Sequence, residues 1–259
     1  MISKSIFRPE SYTLKINDIF VKIPSKIMSE IEENWELYIQ ENAASFNNQL
    51  YTIDKMIFDE NILKINVKKT MYSHYIYSRS KNFTGKNICK SIASNAIILT
   101  SDNFLVFVKM SSNTSSPKII KFIGGSFSES DRKGELLDPK NCVTREIFEE
   151  CGVAFTDENT HKFEEYLLIT RKNMAFLNFL FFIETKLTSI EISSIFEEHI
   201  TKLKSMQDFI ELESLYFVKN KENELLGLLE SENYFIDYFK DTISVFLNQM
   251  QPGDIKKYL

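Results

Sequence analysis

The chain is short of the residues that break or staple a backbone: 7 glycines, 5 prolines and 3 cysteines in 259 positions. No low-complexity linker and no internal repeat is present. Cys89, Cys142 and Cys151 form an odd set without C-x-x-C spacing. That argues against a zinc site and against a disulfide framework, and makes a reducing cytoplasm the expected compartment. The 3 histidines, His74, His161 and His199, lack ligand spacing and read as surface or loop residues. There is no long apolar run and no basic-then-apolar leader, so neither a membrane span nor export is expected. Net charge is only −5. A surface built to hold nucleic acid nonspecifically is therefore not expected, and an anionic substrate would need local neutralisation by metal or by a few Lys and Arg.

What is abundant is Ile, Phe, Lys and Asn, a bias that fits an AT-rich genome. The length suits one large domain, or a catalytic domain of about 130–150 residues with a smaller addition. Residues 12–23 read as a strand pair or a bent strand. Pro24 and Ser25 open a helix to about residue 44, with Ile27, Ile31, Trp35 and Tyr38 at three- and four-residue spacing. Strands follow near 50–58 and 62–69, the second alternating as Ile62, Leu63, Ile65 and Val67. Residues 70–90 show no clear period, and the boundary between an N-terminal α+β subdomain (1–88) and the main domain (89–259) is expected there.

Beyond it, Ile92–Leu99 and Phe104–Val108 form a hairpin whose turn comes from Asp102-Asn103. A loop leads to Lys121-Phe122-Ile123-Gly124-Gly125, then a helix at 139–151 and strands near 164–171 and 174–185. A helical stretch near 189–204, a strand at 214–218 and one helix near 231–250 close the chain. Strands alternating with a few helices predict an α/β/α sandwich rather than a doubly wound sheet.

The informative stretch runs from Asp138 to Val153. Asp138 suits an N-cap, Pro139 the first helical position, and Gly152 the left-handed residue that ends a helix. Val143, Ile147 and Cys151 recur every four residues and can bury one side. Glu146, Glu149 and Glu150 share another side at i, i+3 and i+4. Carboxylates so placed repel one another by a few tenths of a kcal/mol per exposed pair. Solvation, pairing with arginine or a bridging metal relieves that, and an oxygen-rich set suits Mg²⁺ or Mn²⁺. Arg145 and Glu149, four apart, can pair. A solvated glutamate-rich face is the bland alternative.

Gly124-Gly125 followed by Arg145-Glu146-Ile147-Phe148-Glu149-Glu150-Cys151-Gly152-Val153 resembles the Nudix box, whose latter half reads R-E-apolar-x-E-E-x-G-apolar. The resemblance implies a Nudix α/β/α sandwich and a metal-dependent hydrolase of a nucleoside diphosphate linked to a second group. It implies Glu146, Glu149 and Glu150 as ligands of Mg²⁺ or Mn²⁺, Glu149 as base and Arg145 as its orienter. The first half of the box departs from the pattern. Leu137 stands eight positions before Arg145, where the family has a glutamate, and the span from Gly125 to Arg145 is stretched. Glu129, Asp131 and Glu135 are either solvated loop acids or substitutes that swing in.

A weaker likeness, over roughly residues 27–190, is to the branch of the family that hydrolyses UDP-glucose and UDP-galactose. It rests on Ile31 to Trp35, on Thr70 to Ile76 and on the hairpin from Thr100 to Lys109. A diphosphate needs cationic contacts besides metal. Lys109, Arg171 and the backbone at Gly125 are the candidates; Tyr72 and Tyr75 either stack on a base or pack in the subdomain. The expected partner is a small nucleotide-derived substrate, with no nucleic acid and no membrane.

Overall fold

The computed structural model describes residues 4–42, 45–59, 61–171, 175–231 and 233–250, apart from the side chains of Lys4, Ser5, Arg171, Gln249 and Met250. In chain order, β1 is Lys4–Phe7, β2 Ser11–Phe20, α1 Ser25–Glu41, β3 Gln49–Asp59, β4 Ile62–Met71 and α2 Tyr72–Ser80. Next come β5 Ser91–Leu99, β6 Phe104–Met110, β7 Ile120–Lys121, β8 Ile123–Ser126, β9 Arg132–Lys133, β10 Leu136–Leu137 and α3 Pro139–Cys151. β11 Thr160–Arg171, β12 Phe176–Thr185, α4 Ser189–Met206, β13 Leu212–Lys219, α5 Glu222–Glu230 and α6 Phe239–Met250 complete the described strands and α-helices, and a short 3-10 turn, Glu129–Asp131, precedes β9. The fold is mixed α/β, as the sequence predicts.

The chain divides into two compact units. The first holds Met1–Ser94, Gly125–Cys142 and Leu168–Phe179; the second holds Asn95–Gly124, Val143–Leu167 and Leu180–Leu259. Residues 1–88 thus all belong to the first unit.

In the first unit β4 is flanked by β2, which runs parallel to it, and by antiparallel β3. Leu63, Ile65 and Val67 are fully buried while Ile62 is 39% exposed, the period-two pattern of a strand with one covered face. Burying each of those side chains contributes about 1.5–3 kcal/mol. β2 is one bent strand rather than a strand pair, with a register shift between Asn17 and Phe20. β10 extends the ladder from β2, and β9 pairs with β10. β1 pairs with the end of β11, Ile6 opposite Ile169.

The sequence reading missed α2. It is nine residues long and buries Ser73, His74 and Ser78 beside Ile76 and Tyr77, so no apolar stripe marks it. The His74 and Ser78 side chains each have two partners. His74 Nε2–H donates to the Asn87 carbonyl at 3.0 Å, which leaves Nδ1 to accept from Thr70 Oγ1 at 2.8 Å. Ser78 Oγ donates to the His74 carbonyl at 2.6 Å and accepts from the Cys89 N–H at 2.7 Å. His74 is therefore a core residue and not a surface one, and burial lowers its pKa. Tyr72 and Tyr75 stack on each other at 5.8 Å, and Trp35 and Tyr38 of α1 meet Tyr72 edge-on.

In the second unit β6 lies between β13 and β7, antiparallel to both. Phe107 of β6, Phe122 and Phe239 of α6 are fully buried and meet with centroids 4.8–5.7 Å apart. The hairpin turn is where the sequence puts it, with Asn103 at φ 68°. The helix expected near 231–250 begins only at Phe239, as α6, and the sequence reading missed α5, which ends before that stretch. The reason is tertiary: the Ile120 N–H donates to the Tyr234 carbonyl at 2.8 Å, and the Ile236 N–H to the Ile120 carbonyl at 3.0 Å. Those bonds, with a parallel bridge from Ile120 to Phe235, tie residues 234–236 to β7 ahead of α6.

Candidate carboxylate site

Helix α3 is punctuated as its sequence predicts. Asp138 Oδ1 accepts the N–H groups of Lys140 (2.9 Å) and Asn141 (3.2 Å), satisfying donors that the helix itself leaves open. Gly152 sits at φ 73° and its N–H reaches the Phe148 carbonyl at 2.9 Å. A Cβ there would lie 2.7 Å from His199 Cβ, so glycine is required by space as well as by conformation. His199, on α4, donates from Nε2 to the Glu149 carbonyl at 2.8 Å and so serves the C-terminal end of α3. Val143, Ile147 and Cys151 form the buried face.

The three glutamates part company. Glu149 is exposed and receives Arg145 Nη1 at 2.7 Å; the same nitrogen lies 2.9 Å from Glu146. Glu150 turns inward, 7% exposed, where Lys121 Nζ lies 3.1 Å from its Oε1 and the Gly124 N–H approaches Oε2 at 3.4 Å. Lys121 also donates to the Gly124 carbonyl at 3.0 Å and lies 3.7 Å from Glu211, just before β13. Gly124 adopts φ 134°, a conformation that favours glycine. The Ser111 N–H holds the Glu211 carbonyl at 2.8 Å. All of these residues belong to the second unit.

The electrostatics follow from this packing. Burial, opposed by Arg145 and Lys121, pushes Glu146 up to about 7. Burial, opposed by Lys121 but reinforced by Glu211 and Glu146, pushes Glu150 up to about 8. Burial works against the Lys121 ammonium, yet the charges of Glu150 and Glu211 outweigh it and raise its pKa. The cluster therefore carries more carboxylate than the chain's own cations neutralise, and a proton or a further cation is favoured there.

The oxygen-only donors match a hard divalent ion such as Mg²⁺ or Mn²⁺. Among the described residues, however, no group of three or more His, Cys, Asp or Glu side chains is gathered as a ready metal site. The oxygens are held instead by Lys121 and Arg145.

The other sequence candidates lie as follows. Lys109 Nζ pairs with Glu213 at 2.7 Å. Arg171 ends β11, and its side chain lies outside the described residues. The Gly125 carbonyl accepts a long contact from Cys142 Sγ at 3.8 Å. The loop acids of the stretched box are all engaged within the first unit. Glu129 accepts from Tyr51 Oη at 2.6 Å and from Arg132 at 3.0 Å, and Arg132 also holds Asp18 at 3.0 Å. Asp131 caps the turn from Ser128 and accepts from Asn141 Nδ2 at 3.3 Å. Glu135 pairs with Lys15 at 3.0 Å. Leu137, at the place of the family's first glutamate, is buried.

Sequence reasoning missed Lys121 and Glu211. Glu211 is remote from the box and carries no motif. Lys121 shows only as a charge beside the Gly-Gly loop, where nothing in the spacing tells of its burial. A cleft of about 480 Å³, lined in part by Phe104, Tyr216, Lys219 and Asn223, shares no residue with this cluster.

No family model matches the sequence, and no curated protein matches it. Among solved structures, the chain is similar to DR0079 from Deinococcus radiodurans, with 13% identity, a TM-score of 0.41, and coverage of 60% of this chain and 81% of that one. It is similar to a MutT protein from Methanosarcina mazei Go1, with 16% identity, a TM-score of 0.36, and coverage of 62% and 95%. A third is a bifunctional NMN adenylyltransferase/ADP ribose pyrophosphatase from Francisella tularensis, complexed with AMP and a Mn ion. There the identity is 10%, the TM-score 0.41, and the coverage 70% of this chain and 47% of that one. Each likeness is partial and distant, so the site is read from its own residues.

Proposed function

We propose that the protein is a Nudix-type hydrolase that cleaves a nucleoside diphosphate linked to a second group, with a UDP-sugar as the preferred substrate and UMP and sugar 1-phosphate as products. The observation that carries this reading is the cluster of Glu146, Glu150 and Glu211, whose negative charge exceeds what Lys121 and Arg145 offset. That excess sits at the end of the one stretch, Arg145 to Val153, that meets the latter half of the Nudix box.

Glu146, Glu149 and Glu150 are the ligands for Mg²⁺ or Mn²⁺ in this proposal, with Glu211 close by. The bound ion supplies charge neutralisation for the phosphates and for the developing transition state. The chain's own part is positional. Arg145 holds Glu149 at 2.7 Å, which orients that carboxylate to take a proton from water. The Gly124 backbone borders the cluster, and a glycine there would let a substrate approach the main chain. Lys109 is the proposed phosphate contact of the second unit. The uridine preference rests on the weaker likeness along residues 27–190.

The test compares kcat/KM for UDP-glucose, UDP-galactose, ADP-ribose and a diadenosine polyphosphate under one Mg²⁺ or Mn²⁺ condition. UDP-sugars are expected to lead; a tenfold lead for ADP-ribose or the dinucleotide removes the uridine reading and leaves the general one. A second reading, a nucleotide-binding regulator without catalysis, is favoured by one observation: Leu137 is buried where the family has a glutamate, and the loop acids that could replace it are paired elsewhere. Hydrolysis of none of the four compounds, with nucleotide binding retained, selects that reading.

A further inference from the structure

Lys121 stands out among the charged groups of the second unit because it is only slightly exposed and because it approaches several acids at once. Its side chain is 14% exposed, and that of Glu150 is 5% exposed. Nζ meets Glu150 at 3.1 Å, Glu211 at 3.7 Å and the Gly124 carbonyl at 3.0 Å. The strand that carries it is anchored on both edges of Ile120. Ile120 pairs with Lys109 of β6, and its backbone exchanges hydrogen bonds with the segment at Tyr234 and Ile236. An ammonium so held has little freedom to leave without a replacement charge. Removing it would strand Glu150 as a buried, unpaired carboxylate, which is strongly unfavourable.

We infer that Lys121 is the resident counter-ion of the carboxylate site and competes with a divalent cation for the oxygens of Glu150, so that it sets the site's metal affinity. The inference deepens the metal-dependent reading above and rests on it for the identity of the competing ion. The physics is exclusion within a small space. An ammonium at hydrogen-bond distance from Glu150 occupies lone pairs that a divalent ion needs, and a divalent ion brought near it adds like-charge repulsion. Lys121 therefore keeps the site neutral enough to fold without metal, at the cost of weak metal binding.

The experiment measures Mn²⁺ affinity by electron paramagnetic resonance of the free ion, and melting temperature with and without Mn²⁺, on the full chain. The proteins are wild type, Lys121→Met, Lys121→Arg and the double variant Lys121→Met/Glu150→Gln. Lys121→Met is expected to melt lower than wild type without metal, to bind Mn²⁺ at least tenfold more tightly, and to gain more in melting temperature from Mn²⁺. Lys121→Arg, which keeps the charge, should bind within about threefold of wild type, and the double variant should lose the gain. If Lys121→Met does not fold alone, its refolding yield decides: recovery in millimolar Mn²⁺ supports the competition, and no recovery overturns it. Equal Mn²⁺ affinity in wild type and Lys121→Met also overturns it, while leaving the hydrolase reading intact. Tighter Mn²⁺ binding in Lys121→Met, with no hydrolysis of any nucleotide by wild type, supports the competition and sinks the hydrolase reading instead. Mn²⁺ binding by none of the four proteins overturns both.

Discussion

Gly152 shows how much one residue can carry. Its positive φ, 73°, disfavours any L side chain, and the nearest atoms to an added Cβ belong to His199, at 2.7 and 2.9 Å. A left-handed residue with a side chain costs roughly 1–2 kcal/mol and overpacking roughly 1–3, so Gly152→Ala should lose about 2–5 kcal/mol in urea unfolding. Wild-type stability in that variant would show that α4 yields freely at His199. Glu149 makes the opposite case. It is exposed, and its bond to Arg145 is of the surface kind that contributes little to stability. Glu149→Gln should melt within a degree or two of wild type yet lose at least about 100-fold in kcat, the scale of losing a general base. Full activity in Glu149→Gln, or in wild type stripped of metal with EDTA, would refute its assigned role.

Among elements, the junction of the β5–β6 hairpin with α4 is tied by the Ser101 N–H to the Leu187 carbonyl at 2.9 Å and by the Asp102 carboxylate. Asp102 accepts from Ser189 N–H at 2.8 Å, from Ser189 Oγ at 2.6 Å and from Thr100 Oγ1 at 2.6 Å. Burial opposes the charged form, but those hydrogen bonds outweigh it and bring its pKa down to about 2. A pKa depressed on folding means stability that is present above the ordinary value near 3.8 and is lost as pH falls toward 2. Asp102→Asn should therefore melt below wild type at pH 6, with the gap closing between about pH 4 and pH 2. A gap that stays constant through that range would assign the effect to geometry rather than charge.

At the scale of the whole molecule, no helix among the described residues is long and apolar enough to cross a membrane. The N-terminal third is not a detachable tail in our proposal. Within the first unit, β1 pairs with the end of β11 and β2 carries β10, so segments far apart in sequence depend on residues 1–88 for their partners. Limited proteolysis of the native protein should spare this region, and a chain beginning at residue 89 should fail to reach a cooperative melt. Rapid loss of the first 80 or so residues with an active remainder left behind would contradict the proposal.

The local choices were legible in the sequence because they depend on neighbours along the chain. The cap at Asp138, the stop at Gly152, the buried face of Val143, Ile147 and Cys151, the alternation of β4 and the turn at Asn103 all follow from side-chain period and backbone preference over a few residues. So did the pairing of Arg145 with Glu149, one helical turn apart. Tertiary structure alone decided the rest. Helix α2 hides its polar residues in hydrogen bonds to distant backbone, and the break between α5 and α6 exists because Ile120 claims that segment's backbone groups. Above all, the spacing of Glu146, Glu149 and Glu150 puts three carboxylates on one helix, but only packing turns Glu150 inward and leaves Glu149 in solvent. The same packing brings in Lys121 and Glu211, because a buried charge takes its partner from whatever the fold sets beside it, at any distance along the chain.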